Sequence, residues 1–402
     1  MNQEEGSIRQ YMLTGKKQAL CIATVASNLD NFNRNNTDIL LKLGYEVTLA
    51  ANFHSSEDIN SQKKTDAFAK EMRAKGVHIV NIDFARSIRK AAMHLKSFFQ
   101  VKKLLKRRFD VIHCHSPVCA AIVRTAARTY RKKYGIKVFY TAHGFHFYTG
   151  APIRNWLIFY PVEKWLSRYT DVLITINQED YSRAFKKFHA GKTVYVPGTG
   201  VDIDKFDRAG KNREKKRREF GWKENDIVLL SAGELNTNKN HKMALKILAG
   251  LKETENFANV QYCICGQGRL KNDLERMIKE LGLEKQVHLL GFREDMADIY
   301  AASDIFLFLS KREGLPMAVM EAMAGGLPCI VSDIRGNRNL IRDHCGGYVI
   351  RLGNMQQWKQ ALLNLLADAE LRAAYGENNK RRVRKFGRQK VSEELSRIYQ
   401  QG

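Results

Sequence analysis

The chain has 402 residues, 44% of them apolar, and its 67 basic and 42 acidic side chains leave a formal charge of +25. That length allows two domains, each burying its own core, and the mixed composition argues against a disordered or low-complexity chain. No apolar run approaches the roughly 20 residues of a membrane-spanning helix, and the basic excess points to polyanionic partners.

The opening stretch MNQEEGSIRQYMLTGKKQ is polar and carries acids, which argues against a secretory leader and for a cytosolic protein. Short apolar runs then alternate with helix-length segments. Strands are predicted at 19–25, 46–52, 77–83, 110–115, 137–143 and 171–177, and in a second series at 226–233, 260–266, 286–291, 304–310 and 328–333. Continuous Val/Ile/Leu-rich runs spaced in this way predict parallel sheets covered on both faces, hence an α/β fold of two doubly wound domains. The break falls in the Gly-punctuated, charged segment 196–222. In such sheets ligands bind at the carboxyl ends of the strands.

Four basic runs, 102–108, 131–137, 211–218 and 381–390, lack the aromatic interleaving and motif spacing of nucleic-acid binders, so no nucleic-acid partner is expected. An anionic membrane surface fits them better, at about 1 kcal/mol per basic residue near it. The seven cysteines are scattered, and Cys263 and Cys265 alternate on one strand, as reduced core thiols do. His113, His115, His143 and His146 crowd two strand ends, but without the ligand spacing of a zinc set, so no metal is predicted. The DID at 202–204 lies in the interdomain segment, and Asp202 is read as turn chemistry. GTG (198–200) and GQG (266–268) lack the third glycine of a dinucleotide fingerprint.

The stretch SKREGLPMAVMEAMAGGLPCIVSD (310–333) holds two glutamates eight residues apart. Glu313 falls in a loop after a strand, and a helix is predicted to begin near Pro316, with Glu321 inside it and Gly325-Gly326 ending it. Free backbone N–H groups at that helix start suit a phosphate. Five residues further on, roughly 7–8 Å along the axis, Glu321 is placed to accept both hydroxyls of a ribose, while Glu313 faces a sugar beyond the diphosphate.

This E-x7-E after a strand resembles the retaining GT-B glycosyltransferases of family 4, and other motifs fall in matching order. SAGELNTNKNH (231–241), CGQGRLKNDLERMIKELGL (265–283) and VHLLGFREDMADIYAASDIFLFLS (287–310) resemble the donor domain. DVIHCHSP (110–117), YTAHGFHFYTGAP (140–152), LITINQEDYSRA (173–184) and VPGTGVDIDKF (196–206) resemble the acceptor domain of bacterial capsular and exopolysaccharide transferases. The resemblance implies a GT-B fold with two Rossmann-like domains facing across a cleft: an acceptor domain at 1–200, a nucleotide-sugar domain at 201–380, and a basic C-terminal helix at 381–402 packing back toward the first. It implies transfer from a nucleotide sugar, a UDP-sugar above all, to a lipid-linked saccharide, with retention and no cofactor or obligatory metal, by a cytoplasmic protein at the inner membrane face.

The residues carried over are Glu313 and His143 as catalytic groups, His143 hydrogen-bonding the donor sugar or transferring group. On the donor side stand Gly233, Lys239 for the diphosphate, Gly266 and Gly268 for close backbone approach to the nucleoside, and Phe292 and Arg293 beside the base. Gly314, Leu315, Pro316 and Met317 form the helix start, and Glu321 holds the ribose. Asn33, His115 and His146 are implied on the acceptor side. One position departs from the wider family, which usually places Arg where Glu234 stands; either Glu234 turns toward another partner, or Arg269 or Arg312 supplies the charge. A nucleotide-sugar epimerase of related fold and a non-catalytic basic partner of a synthase complex are the rival readings.

Overall fold

The structure, a computed structural model, describes residues 15–54, 59–87, 89–254 and 257–401; the stretch read against a leader lies mostly in residues 1–14, outside the described residues. Two compact units result, one running to Thr199 and resuming at Val391, the other spanning Gly200–Lys390.

In the first unit the strands are β1 (Gln18–Val25), β2 (Glu46–Asn52), β3 (His78–Asn81), β4 (Val111–His115), β5 (Lys137–Ala142), β6 (Val172–Thr175) and β7 (Lys192–Tyr195). They form one parallel sheet in the order β3-β2-β1-β4-β5-β6-β7. The order reverses between β1 and β4, where Cys21 lies opposite His113. The second unit repeats the plan with β8 (Ile227–Ala232), β9 (Val260–Cys265), β10 (Val287–Gly291), β11 (Ile305–Phe308), β12 (Cys329–Ser332) and β13 (Gly347–Ile350), in the order β10-β9-β8-β11-β12-β13. Its switch point lies between β8 and β11. Central strands are buried along almost their whole length, as strands covered by helices on both faces must be. All eleven predicted strands are present. β7 and β13 were not predicted: each is four residues long and ends a sheet, so neither carries a long apolar run.

Local sequence explains how strand ends become sites. β4 turns into the helix Pro117–Tyr134 through Ser116, whose φ of +69° makes the turn abrupt, and proline then opens the helix. Arg131, Lys132 and Lys133 complement the dipole in its last turn, and Gly135 closes it in the left-handed conformation. Asp202 caps the helix Ile203–Ala209, its Oδ1 accepting from the Lys205 N–H at 3.1 Å. Instead of one helix over 381–402, the chain makes a helix to Val383, a short 3-10 turn, and a new helix Arg388–Gln401. The break at Gly387 is held by backbone pairing: Val201 N–H donates to Phe386 O and Arg388 N–H to Val201 O. Val391, Leu395, Ile398 and Tyr399 of the last helix are buried in the core of the first unit.

Gly200 lies beside this pairing with φ +74°, and a Cβ there would come within 2.6 Å of Arg388 Cα. Gly200→Ala is expected to lower stability by about 1–3 kcal/mol, through both clash and backbone strain. A melting temperature equal to wild type in calorimetry would contradict that packing.

Candidate active site

β8 and β11 are neighbours at the switch point, so the loops that follow them meet. Lys239 Nζ lies 2.8 Å from Glu313 Oε1, although the two are 74 residues apart in the chain. The Asn238 side-chain amide donates to the same oxygen at 3.3 Å and to the Arg312 carbonyl at 2.9 Å, while Lys311 N–H donates to the Asn238 carbonyl at 2.8 Å. Asn236 Oδ1 accepts from the N–H groups of Asn238 and Lys239, fixing the turn that aims the lysine. The ammonium also sits 4.8 Å from the Phe308 ring centroid.

The glycines permit this convergence. A Cβ on Gly233 would reach Lys239 Cε at 2.9 Å, so the lysine stem lies on bare backbone. A Cβ on Gly266 would be 1.9 Å from Gly233 O, and one on Gly268 would be 2.6 Å from Leu235 O. These two glycines were assigned to close approach of a nucleoside; the close approach they permit here is between two loops of the protein.

The helix Met317–Ala324 starts one residue later than predicted, because Pro316 is the extended cap residue. Met317 and Ala318 therefore contribute the first helical N–H groups, and buried Leu315 anchors the turn beneath them. Gly336 packs under the loop, where a Cβ would be 2.6 Å from Gly314 O. Buried Arg335 donates its Nε to the Glu313 carbonyl at 3.3 Å. Sequence reading missed Arg335; its only signal is its place just after β12, at another strand end.

Glu321 Oε2 lies 3.2 Å from the hydroxyl of buried Tyr300, also missed. Burial pushes the Glu321 carboxyl up to about 7, with the Tyr300 hydrogen bond and the Lys205 charge pulling the other way. Arg293 is committed to Asp295 through two hydrogen bonds at 2.8 and 2.6 Å, and Lys216 Nζ lies 2.7 Å from the same carboxylate. Arg293 thus braces its loop, while the neighbouring Phe292 ring is 53% exposed. Glu234, Arg269 and Arg312 are all exposed.

In the first unit, His143 follows β5, its Nε2 lying 3.2 Å from Nδ1 of His115 at the end of β4. His115 lies against His113 with the rings tilted by 38°, and the ring nitrogens of His113 reach the Tyr399 hydroxyl at 2.5 Å and Thr141 Oγ1 at 2.7 Å. Burial holds His143 down at about 4, His113 at about 3 and His115 well below its ordinary value, so all three are neutral at pH 7. His115 Nε2, Asn35 Nδ2 and Asn36 Oδ1 are buried without partners, and their residues line a cavity of about 20 Å³, the size of one water.

One acceptor-side prediction needs correction. Asn33 is fully buried, its amide donating to Asn28 O and accepting from Asn36, so it faces its own helix. His115 is buried and supports His143 through Nδ1, its Nε2 facing the water-sized cavity. His146 does line an open cavity of about 490 Å³, where it stacks on Phe159. Arg86, Asn28 and Ser116, all missed, share that lining, coming from the segments that follow β3, β1 and β4. Among the described residues no cluster of His, Cys, Asp or Glu is placed to hold a metal ion, and all seven cysteines are free.

Two doubly wound parallel units with these strand-end constellations define a GT-B glycosyltransferase fold. Residues 212–382 match the family described as Glycosyl transferases group 1, and residues 35–205 match Glycosyltransferase Family 4; the chain belongs to this glycosyltransferase family. EpsD of Bacillus subtilis (strain 168), named a glycosyltransferase with no stated reaction, is 34% identical over 95% of this chain and 96% of its own length. The UDP-Gal:alpha-D-GlcNAc-diphosphoundecaprenol alpha-1,3-galactosyltransferase of Escherichia coli is 32% identical over 69% of this chain and 72% of its own. Anabaena HepE, solved with UDP and glucose, shares the fold at a TM-score of 0.74 and 16% identity, covering 96% of this chain and 100% of HepE.

Because the Glu321 carboxyl titrates near 7 when folded and near 4.5 when unfolded, the unfolded state loses the proton first as pH rises. Stability therefore falls between those values, by about 3 kcal/mol, and is flat above them. Glu321→Gln is expected to melt several degrees above wild type at pH 8 and close to it at pH 4.5, with ligand absent. Equal melting curves at both pH values would refute a desolvated carboxyl.

Proposed function

We propose that this glycosyltransferase moves a sugar from a UDP-sugar to a saccharide on a lipid diphosphate, with retention of anomeric configuration and without an obligatory metal. The setting is capsule or exopolysaccharide assembly at the cytoplasmic face of the membrane. The observation that carries the reading is the Lys239–Glu313 pair, at the head of the helix that bears Glu321. Lipid-diphosphate chemistry is named for the Escherichia coli relative, and UDP is the ligand of the solved HepE structure.

In this reading the donor diphosphate takes the ammonium of Lys239 and the first amides of the helix Met317–Ala324. Sharing Lys239 with phosphate frees Glu313 oxygens to accept hydroxyls of the donor sugar. As the sugar–phosphate bond breaks, charge grows on the leaving diphosphate, where the fixed lysine and amides lower the barrier. Glu321 accepts the ribose hydroxyls, roughly 7–8 Å further along the helix. Neutral His143, steadied by His115, offers the sugar a hydrogen bond without adding a charge. The cavity lined by Arg86, Asn28, Ser116 and His146 has the size of a ligand pocket and a cation for the acceptor diphosphate.

Incubation with radiolabelled UDP-sugars and membrane lipid extract is expected to give lipid-linked label, undiminished by EDTA. An isomerised donor without acceptor would establish an epimerase instead, and no product with any donor would refute transfer. Lys239→Ala removes a charged hydrogen bond and should weaken UDP binding roughly tenfold to a hundredfold, while Glu313→Gln should lower turnover more than affinity. Ribose hydroxyls favour ionised Glu321, so UDP affinity in titration calorimetry should rise as pH passes upward through about 7. Glu321→Ala should abolish that rise; its persistence would remove Glu321 from the nucleotide site.

A further inference from the structure

The helix Ile153–Leu166 carries large apolar side chains on both halves of its circumference, with Arg154 and Lys164 among those of the outer half, yet only one side of it is covered. Trp156, Phe159 and Tyr160 pack into the core, and Glu163 is buried against Arg124 at 2.8 Å. At about 100° per residue, Ile153, Leu157, Ile158, Pro161, Val162 and Trp165 fall on the opposite half. Ile153 is 77% exposed and Leu157 71%. The helix Ala91–Leu105 packs against the same neighbour, Pro117–Tyr134, and adds Leu95 and Phe99, each about 60% exposed. Seven of the ten large apolar side chains exposed among the described residues lie on these two helices. Large apolar side chains on both halves of a helix are normally buried, so the outer half lacks its cover.

The charge around this patch identifies what covers it. From Phe84 to Tyr169 the sequence carries eighteen Lys and Arg and only two acids, Asp110 and Glu163. Neither acid is on the open surface: Glu163 is buried with Arg124, and Asp110 is partly buried and accepts from the Gln18 N–H at 2.7 Å. Apolar side chains on helices that also carry Arg154 and Lys164, or Lys102 and Lys103, match the boundary between acyl chains and anionic headgroups. No helix among the described residues is long and apolar enough to cross a membrane.

We propose that the outer face of Ile153–Leu166, together with Leu95 and Phe99, is a docking surface for an anionic lipid bilayer. The face adjoins the 490 Å³ cavity, because Phe159 of the same helix and Arg86, just before the other helix, line that cavity. A lipid-linked acceptor would then present its diphosphate to the cavity while its hydrocarbon stays in the bilayer. This second point rests on the proposed function; docking itself does not.

The test is co-sedimentation of the full chain with vesicles of phosphatidylglycerol and phosphatidylethanolamine, and with phosphatidylcholine alone. Wild type is expected to bind the anionic vesicles and to release with rising salt. A Leu157→Gln/Ile158→Gln/Val162→Gln variant should lose about tenfold or more in partitioning. Arg154→Glu/Lys164→Glu should lose anionic binding while leaving the weak phosphatidylcholine binding unchanged. Transfer to a water-soluble short-chain acceptor by the triple variant should stay at the wild-type rate. No wild-type binding, or undiminished binding by the triple variant, overturns the proposal. Light scattering that finds a wild-type dimer and a monomeric triple variant overturns it too, by assigning the face to a second copy. Vesicle binding without sugar transfer would leave docking standing and remove the proposed reaction, so the two fail separately.

Discussion

Lys239 and Glu313 meet because a parallel sheet changes direction between β8 and β11. At that point the two following loops diverge from adjacent strands with no helix between them, and side chains at their tips are brought together at the carboxyl edge. A lysine and a glutamate left there singly would each be a half-buried charge. Together they are neutral and polar, and each holds the other in place. The pair is also an exchangeable one: an incoming anion competes for the lysine and releases the carboxylate. Asn236, Asn238 and Arg335 surround it with hydrogen bonds, which limits how far either side chain has to move. Close loop packing through Gly233, Gly266 and Gly268 makes the convergence sterically possible.

The first unit solves a similar problem by burial rather than pairing. Three histidines lie in contact at the ends of β4 and β5, and three positive charges there would repel strongly in a low-dielectric interior. Desolvation removes the charges, and what remains is a chain of neutral donors and acceptors from Thr141 through His113 to Tyr399, with His115 packed against His113 and bonded to His143. Tyr399 belongs to the C-terminal helix, so the last helix of the chain helps set the tautomer of His113, which lies beneath His115 and, through it, His143. The unpartnered atoms of His115, Asn35 and Asn36 beside a water-sized space indicate where that chain would continue through solvent.

The alternation of apolar runs was enough to read eleven of the strands, because buried parallel strands write themselves as continuous β-branched sequence. β7 and β13, short and at the sheet edges, do not. The meeting of Lys239 and Glu313 could be anticipated because their loops follow strongly marked strands and carry Gly or Asn turns, and the helix bearing Glu321 because Pro316 and Gly325-Gly326 mark its ends. Arg335, Tyr300 and Tyr399 were not legible, since each acts through a partner at least 21 residues away, and nothing local distinguishes a bracing tyrosine from a core one. Asn33 misled for the complementary reason: an asparagine on a helix after a strand end can turn inward, and its neighbour Asn36 gave it something to bond. The 490 Å³ cavity was hidden because Arg86, Ser116 and His146 come from three separate loops.

Beneath the exposed apolar helix lies a buried charge pair with a role distinct from stability. Arg124 and Glu163 are almost wholly out of water, with the guanidinium 4.2 Å from the Tyr140 ring centroid. Burying such a pair costs desolvation energy that well-packed apolar residues would avoid. A helix with large apolar side chains on both halves, however, has little amphipathic preference for which side faces the core. Glu163 supplies one, because only a single rotation of Ile153–Leu166 brings its carboxylate to Arg124; any other leaves the buried guanidinium without its partner. That rotation directs Ile153, Leu157 and Val162 outward and seats Phe159 against the cavity. The buried pair therefore specifies the composition of the outer surface, and the exposed patch follows from an interaction on the opposite side of the same helix.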